Sequence, residues 1–197
     1  MAIKRGTGRQ ALIEATAQVL REGREVQVSE IAAEAGVSHT LVYRHFPDGG
    51  REELIAEAYA HLFRGLARDD TDELFDILDR QGPDSDALHA YAVRLLSPRR
   101  RDARSGRLLA LAQALANEAI ADRVEEARQE LVEEFARRLR MYDSRWADEE
   151  ARAAALYLLA IPLGLSAIGG RDLGAVKRDE VARHMVSTLL AMLASHD

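Results

Sequence analysis

Apolar positions recur at helical spacing along nearly the whole chain. Between about residues 8 and 22, Ala11, Leu12, Ala15, Val19 and Leu20 share one face of a helix. Val28, Ile31, Ala32 and Ala35 form a second, shorter face, and Val42 and Phe46, four apart, a third. The sustained alternation that marks a half-buried strand is missing, and Ala, Leu, Glu and Arg, all strong helix formers, dominate. Breakers divide the helices at Gly23, Gly36, Pro47 to Gly50, Gly82-Pro83, Ser97-Pro98, Asp143-Ser144 and Gly169 to Gly174. The pattern predicts helices over about 8–22, 28–35, 39–45, 51–68, 85–96, 101–116, 119–141, 148–168 and 177–195, with a helical turn or two at 72–80. Pro162 is a place for the eighth of these to kink. The expected fold class is all-α, with about nine helices.

The stretch from Ala153 to Gly170 carries no charged residue. A spanning helix needs roughly 20 mostly apolar residues. This stretch is rich in Ala and Gly and is interrupted by Pro162 and Ser166. It reads as a helix buried on nearly all sides, as at a dimer seam, and no membrane partner is expected.

A chain of 197 residues, 47% hydrophobic and 30% charged, can bury a full core, as one large domain or as a small one attached to a larger one. The lack of cysteine excludes disulfides and thiolate chemistry. It suits a reducing compartment, and the first residues lack the apolar run of a signal peptide, so a cytoplasmic location is expected. No Gly-rich phosphate loop and no His-x-x-x-His pair occurs, and His39 and His45 lie too far apart to converge on a metal. Neither enzyme activity nor a metal or cofactor is expected.

The net charge of −6 argues against indiscriminate nucleic-acid binding. The first fifty residues nevertheless balance six basic against six acidic side chains. Lys4, Arg5 and Arg9 cluster at the start of that stretch, and Arg44 with His39 and His45 at its end. Such local clusters set phosphate affinity.

The stretch Val28–Phe46 has the make-up of a tight helical corner. Ala32 is small enough for a second helix to cross closely, Gly36 suits a positive φ at the turn, Val37 can plug the turn, and Ser38 is a plausible N-cap. With Val42 and Phe46 inward, His39, Thr40, Tyr43 and Arg44 point elsewhere. That geometry places a helix in the major groove of DNA. Any tight helical corner would share its Ala, Gly and Val spacing.

Residues from about Arg9 to Leu54 resemble the DNA-binding domain of the TetR family of transcriptional regulators. The resemblance rests on Ile13-Glu14-Ala15-Thr16, Ile31-Ala32, Ala35-Gly36-Val37-Ser38 and above all Leu41-Val42-Tyr43-Arg44-His45-Phe46-Pro47. It implies a helix-turn-helix domain over 1–50 and a ligand-binding and dimerisation domain over 51–197. It also implies that Tyr43 and His45 contact phosphates, as do Gln27 and Ser29 at the start of the second helix. His39, Thr40 and Arg44 would read base edges, Ser38 would join the contact set, and Lys4 and Arg5 would form an arm on the DNA. Arg51 stands where a phosphate-binding lysine is usual. The chain departs from the family in a shorter link from Gly23 to Val28, in the larger Thr40-Leu41, and in Asp48-Gly49-Gly50, which adds about two residues.

The function implied is a ligand-responsive regulator, a repressor that releases palindromic double-stranded DNA when a small molecule binds. The alternative is a helical protein-interaction module whose corner does not bind DNA. Apolar residues on the last two helices, among them Leu156, Leu163, Met185, Leu189 and Met192, suggest a four-helix interface in a homodimer. Tyr91, Leu95, Gln113, Asn117, Trp146 and Tyr157 are candidates for lining an effector pocket, although each residue type is common in an ordinary core or surface. Arg99-Arg100-Arg101, followed by Asp102, reads as a solvated helix start.

Overall fold

The computed structural model describes residues 7–83, 86–168 and 175–194. Its described residues contain helices and no strand. They group into two compact units, one formed by the chain up to Arg64 with Gly106–Arg128, the other by Gly65–Ser105 with the chain from Gln129 onward.

The first unit is built on α1 (Thr7–Arg21), α2 (Val28–Glu34), α3 (His39–His45) and α4 (Arg51–Arg64). Leu12, Ile13, Val19, Val26, Ile31, Ala32, Val42, Phe46 and Leu54 bury together between them. Each large apolar side chain removed from water there contributes roughly 1.5–3 kcal/mol. Two glycines end helices in the same way. Gly23 and Gly36 take φ of 69° and 67°. After α1, Gly23 N–H donates to the Leu20 carbonyl and Arg24 N–H to that of Val19. After α2, Gly36 N–H donates to Ala33 and Val37 N–H to Ala32. These are Schellman closures, which satisfy the last carbonyls and turn the chain sharply. Thr16, fully buried on α1, satisfies its hydroxyl on the Leu12 carbonyl at 2.8 Å.

The second unit carries α5 (Ala67–Gln81), α6 (Asp86–Leu95), a 3-10 turn (Pro98–Arg100), α9 (Asp148–Ile168) and α10 (Ala175–Ala194). Two helices have residues in both units: α7 (Arg101–Ala114) and α8 (Glu118–Tyr142). The core of the second unit includes Leu74, Phe75, Leu78, Leu88, Tyr91, Phe135, Leu139, Trp146 and Ala155. Phe75 and Phe135 meet edge to face with centroids 5.3 Å apart, and the Arg138 guanidinium lies 5.2 Å from the Phe75 centroid.

The elements differ from the periodicity in two places. Helix α4 stops at Arg64 because Gly65 takes a φ of 46°. The expected short turn at 72–80 is a full helix, α5, whose buried face runs Ala67, Thr71, Leu74, Phe75 and Leu78. That face is continuous only when Thr71 is counted inward, and its hydroxyl is satisfied on the Ala67 carbonyl at 2.8 Å. Helix α9 continues through Pro162. Among the described residues no helix is long and apolar enough to cross a membrane.

Candidate nucleic-acid interface

The corner between α2 and α3 sorts its side chains cleanly. Val42 and Phe46 are fully buried, while His39, Thr40, Tyr43 and Arg44 are exposed. Ser38 occupies the N-cap position of α3 with an extended backbone, but its hydroxyl makes no capping bond. It lies 3.2 Å from the Thr40 hydroxyl instead, so the two form a polar pair at the entry of the helix. Gln27 holds the corresponding position before α2, also without a side-chain cap, and Ser29 is exposed in that helix's first turn.

Tyr43 is half exposed, at 50%, yet it is oriented on two sides. Its ring meets His39 edge to face with centroids 5.4 Å apart. On the other side a Cβ at Gly50 would stand 3.0 Å from the Tyr43 Cε1, so the ring packs against the bare backbone of that glycine. The linker behind α3 is itself braced. The Glu53 carboxylate accepts the N–H groups of Asp48 and Gly49, each at 3.2 Å, and Gly50 N–H donates to the Phe46 carbonyl at 2.9 Å. This return of a third-position glutamate to the residues before its helix resembles half of a capping box.

His45 is less open than its neighbours on α3. A Cβ at Gly8 would lie 3.3 Å from its Nε2, so α1 crosses close to this ring. Arg9 pairs with Glu57 at 2.8 Å and its guanidinium lies 5.1 Å from the Phe46 centroid, which ties it to the unit's interior. Arg51 donates from Nε to the Val26 carbonyl at 2.9 Å, pinning the start of α4 to the loop before α2. Lys4 and Arg5 lie outside the described residues. Gly8, Glu53 and Glu57 are functional neighbours that the hydrophobic pattern does not mark, and Gly50 is marked only as part of the insertion. Gly8 is recognisable only from His45, distant along the chain, while Glu53, three residues into α4, carried a local signal.

The pocket candidates are distributed over both units. Gln113 and Asn117 belong to the first unit, and Tyr91, Leu95, Trp146 and Tyr157 to the second. The Asn117 side-chain oxygen accepts the Ile120 N–H at 3.1 Å, capping α8. Tyr91 is buried, donates its hydroxyl to the Asp70 carbonyl at 2.8 Å, and has its pKa raised, first by burial and then by the Asp70 and Glu73 carboxylates. Leu95 packs against the core of the second unit. Trp146 lines a recess of about 280 Å³ with Glu150, Ala153, Ala154 and Met192. Tyr157 lines an open groove of about 600 Å³ with His184, Ser187, Thr188, Ala191 and Met192. Of the residues expected at a dimer seam, Leu156 is 46% exposed, Leu163 and Met185 are half-buried, and Leu189 is buried in the chain's own core with Met192 packed against it.

Residues 12–58 match the family described as bacterial regulatory proteins, tetR family. No curated protein matches the sequence. Solved structures do. A candidate TetR-family transcriptional regulator from Rhodococcus sp. superposes with a TM-score of 0.67 at 21% identity, covering 94% of this chain and 98% of that one. A candidate transcriptional regulator from Pseudomonas aeruginosa PAO1 superposes with a TM-score of 0.59 at 25% identity over 95% and 91% of the two chains. One from Saccharomonospora viridis, solved in complex with choline, gives 0.51 at 21% identity over 90% and 92%. Residues 12–58, which contain the corner, therefore match the tetR family of bacterial regulatory proteins, and the chain as a whole has the fold of solved TetR-family regulators.

Proposed function

We propose that this protein regulates transcription by docking α3 in the major groove of a specific DNA site. The observation that carries the reading is the division of α3 into a buried Val42–Phe46 side and an exposed side bearing His39, Thr40, Tyr43 and Arg44. Thr40 and Arg44 offer donors and acceptors for base edges, Arg44 having the fork that matches guanine. Tyr43, held by His39 and Gly50, presents a hydroxyl suited to a phosphate. The site would be palindromic and met by a homodimer, with half-sites about one helical turn apart. A small molecule bound in the C-terminal residues would shift the population away from the DNA-fitting state, making the protein a repressor that lets go of its operator. A relative in fold solved with choline supports a ligand-responsive reading of this kind.

Selection of binding sites from a random pool, run on the wild type, Tyr43→Phe and Thr40→Ala, tests the core of the reading. The wild type should enrich one inverted repeat. Tyr43→Phe should lower affinity for all sequences alike, whereas Thr40→Ala should alter the base preference within each half-site. Failure to enrich any site would favour a protein-interaction module instead. Calorimetry with small-molecule candidates, with and without the selected DNA, tests the ligand response; it requires the two affinities to weaken each other by the same factor.

A further inference from the structure

Glu57, on α4, has a side chain only 15% exposed, and one of its oxygens serves two arginines. Arg9 of α1 approaches Oε1 at 2.8 Å and Arg123 of α8 approaches the same atom at 3.8 Å. Each arginine has a second attachment. Arg9 lies over the ring of Phe46, the fully buried residue that closes α3. Arg123 is held on its own helix by Glu126 at 2.8 Å. A chain of contacts thus runs Glu126, Arg123, Glu57, Arg9, Phe46, from the first turns of α8 to the end of α3, all within the first unit.

Two cations that share one carboxylate oxygen are not independent, because each helps to fix where that carboxylate sits and so where the other arginine is held. The Arg123 contact is also near the outer limit of an ion pair, where a small shift of α8 makes or breaks it. A third arginine fastens α4 to a different helix: Arg107 of α7 donates to the Phe63 carbonyl at 2.8 Å and to the Arg64 carbonyl at 3.3 Å, at the end of α4. With its end fastened there, α4 can respond to α8 at Glu57.

We propose that Glu57 is a positioning residue that links the start of α8 to α3, so that Arg123, which is on α8 and not on the α2–α3 corner, sets DNA affinity through Glu57, Arg9 and Phe46. This rests on the DNA-binding reading above. The same helix α8 continues past Arg128 into the second unit, which makes its start a natural input for a signal.

The test is affinity for the selected DNA site, by fluorescence anisotropy, for Arg123→Gln, Glu57→Gln, the double variant and Arg123→Lys. It is paired with NMR of the Phe46 ring and amide in the DNA-free protein. Arg123→Gln should weaken binding about five-fold, the low end of inter-site couplings, since both arginine side chains are 40% exposed. In the Glu57→Gln background the same change should do no further harm, and Arg123→Lys, which keeps the charge, should restore most of the affinity. The Phe46 signals should shift in Arg123→Gln. Unchanged affinity with unchanged Phe46 signals, or losses that simply add in the double variant, would overturn the proposal. If the wild type selects no DNA site, the functional reading fails, and the Phe46 signals alone then decide whether the coupling exists.

Discussion

Tyr43 owes its placement to a residue that has no side chain. Gly50 combines a φ of 53° with a Cβ position 3.0 Å from the tyrosine ring, so alanine there is both strained and obstructive. Gly50→Ala should cost about 1 kcal/mol or more in stability and weaken DNA binding by displacing Tyr43. Urea unfolding and a binding isotherm would check it, and a variant with wild-type DNA affinity would show that Tyr43 does not need this seat. Gly49 is glycine for another reason: a Cβ there would stand 3.2 Å from the Glu53 nitrogen and 3.1 Å from its Cβ. The sequence marks the Asp48-Gly49-Gly50 insertion clearly but does not distinguish the two glycines, whose roles depend on different neighbours. His61 gives a second prediction at this scale. Burial, first, and the charges of Arg21 and Arg64 lower its pKa from 6.5, against the opposing pull of Glu14. Well above pH 6.5 it is neutral whether the chain is folded or not. Below that, the unfolded chain takes up the proton more readily, so stability is lost as pH falls from 6.5 toward the folded value. The thermal midpoint should fall more between pH 8 and 5 for the wild type than for His61→Gln; parallel curves would refute this.

Among the elements, the short helices α2 and α3 are the most legible. Their Ala, Gly and Val positions and the Schellman turn at Gly36 follow from local rules, because the hydrogen bonds that close α2 lie within six residues of one another. Helix α5 is the least legible. Asp is a poor helix former, α5 carries several, and its stripe needs the polar Thr71 to face inward. Only packing against the core of its unit decides that orientation. Helix α8 shows how a local signal can be misread. Asn117 looks like a polar residue available to a ligand, yet its side chain caps the helix through Ile120. Asn117→Ala should therefore destabilise the fold by about 1 kcal/mol whether or not an effector is present. Denaturation with and without an effector found by calorimetry separates the roles: a loss of ligand affinity without a loss of stability would make Asn117 a pocket residue.

Across the whole molecule, the exposed Leu156 and Tyr157 of α9 and the groove that Tyr157 shares with Ala191 and Met192 of α10 are where the proposed homodimer would seat a second copy of the chain. On the proposed homodimer reading, Leu156→Glu should shift sedimentation from dimer to monomer and sharply reduce affinity for the proposed palindromic site; a variant that remains dimeric would place the interface elsewhere. The sequence by itself determined the all-α class, the helix-turn-helix and the outward polar set on α3, because each depends on periodicity and turn chemistry over a few residues. Only the tertiary structure decided which of those residues are committed inward. It put Arg9 on Glu57 and Phe46, His45 against Gly8, Arg51 on the Val26 carbonyl, and Leu189 in the core. Long polar side chains reach partners tens of residues away, and no local pattern records which partner the fold brings within reach.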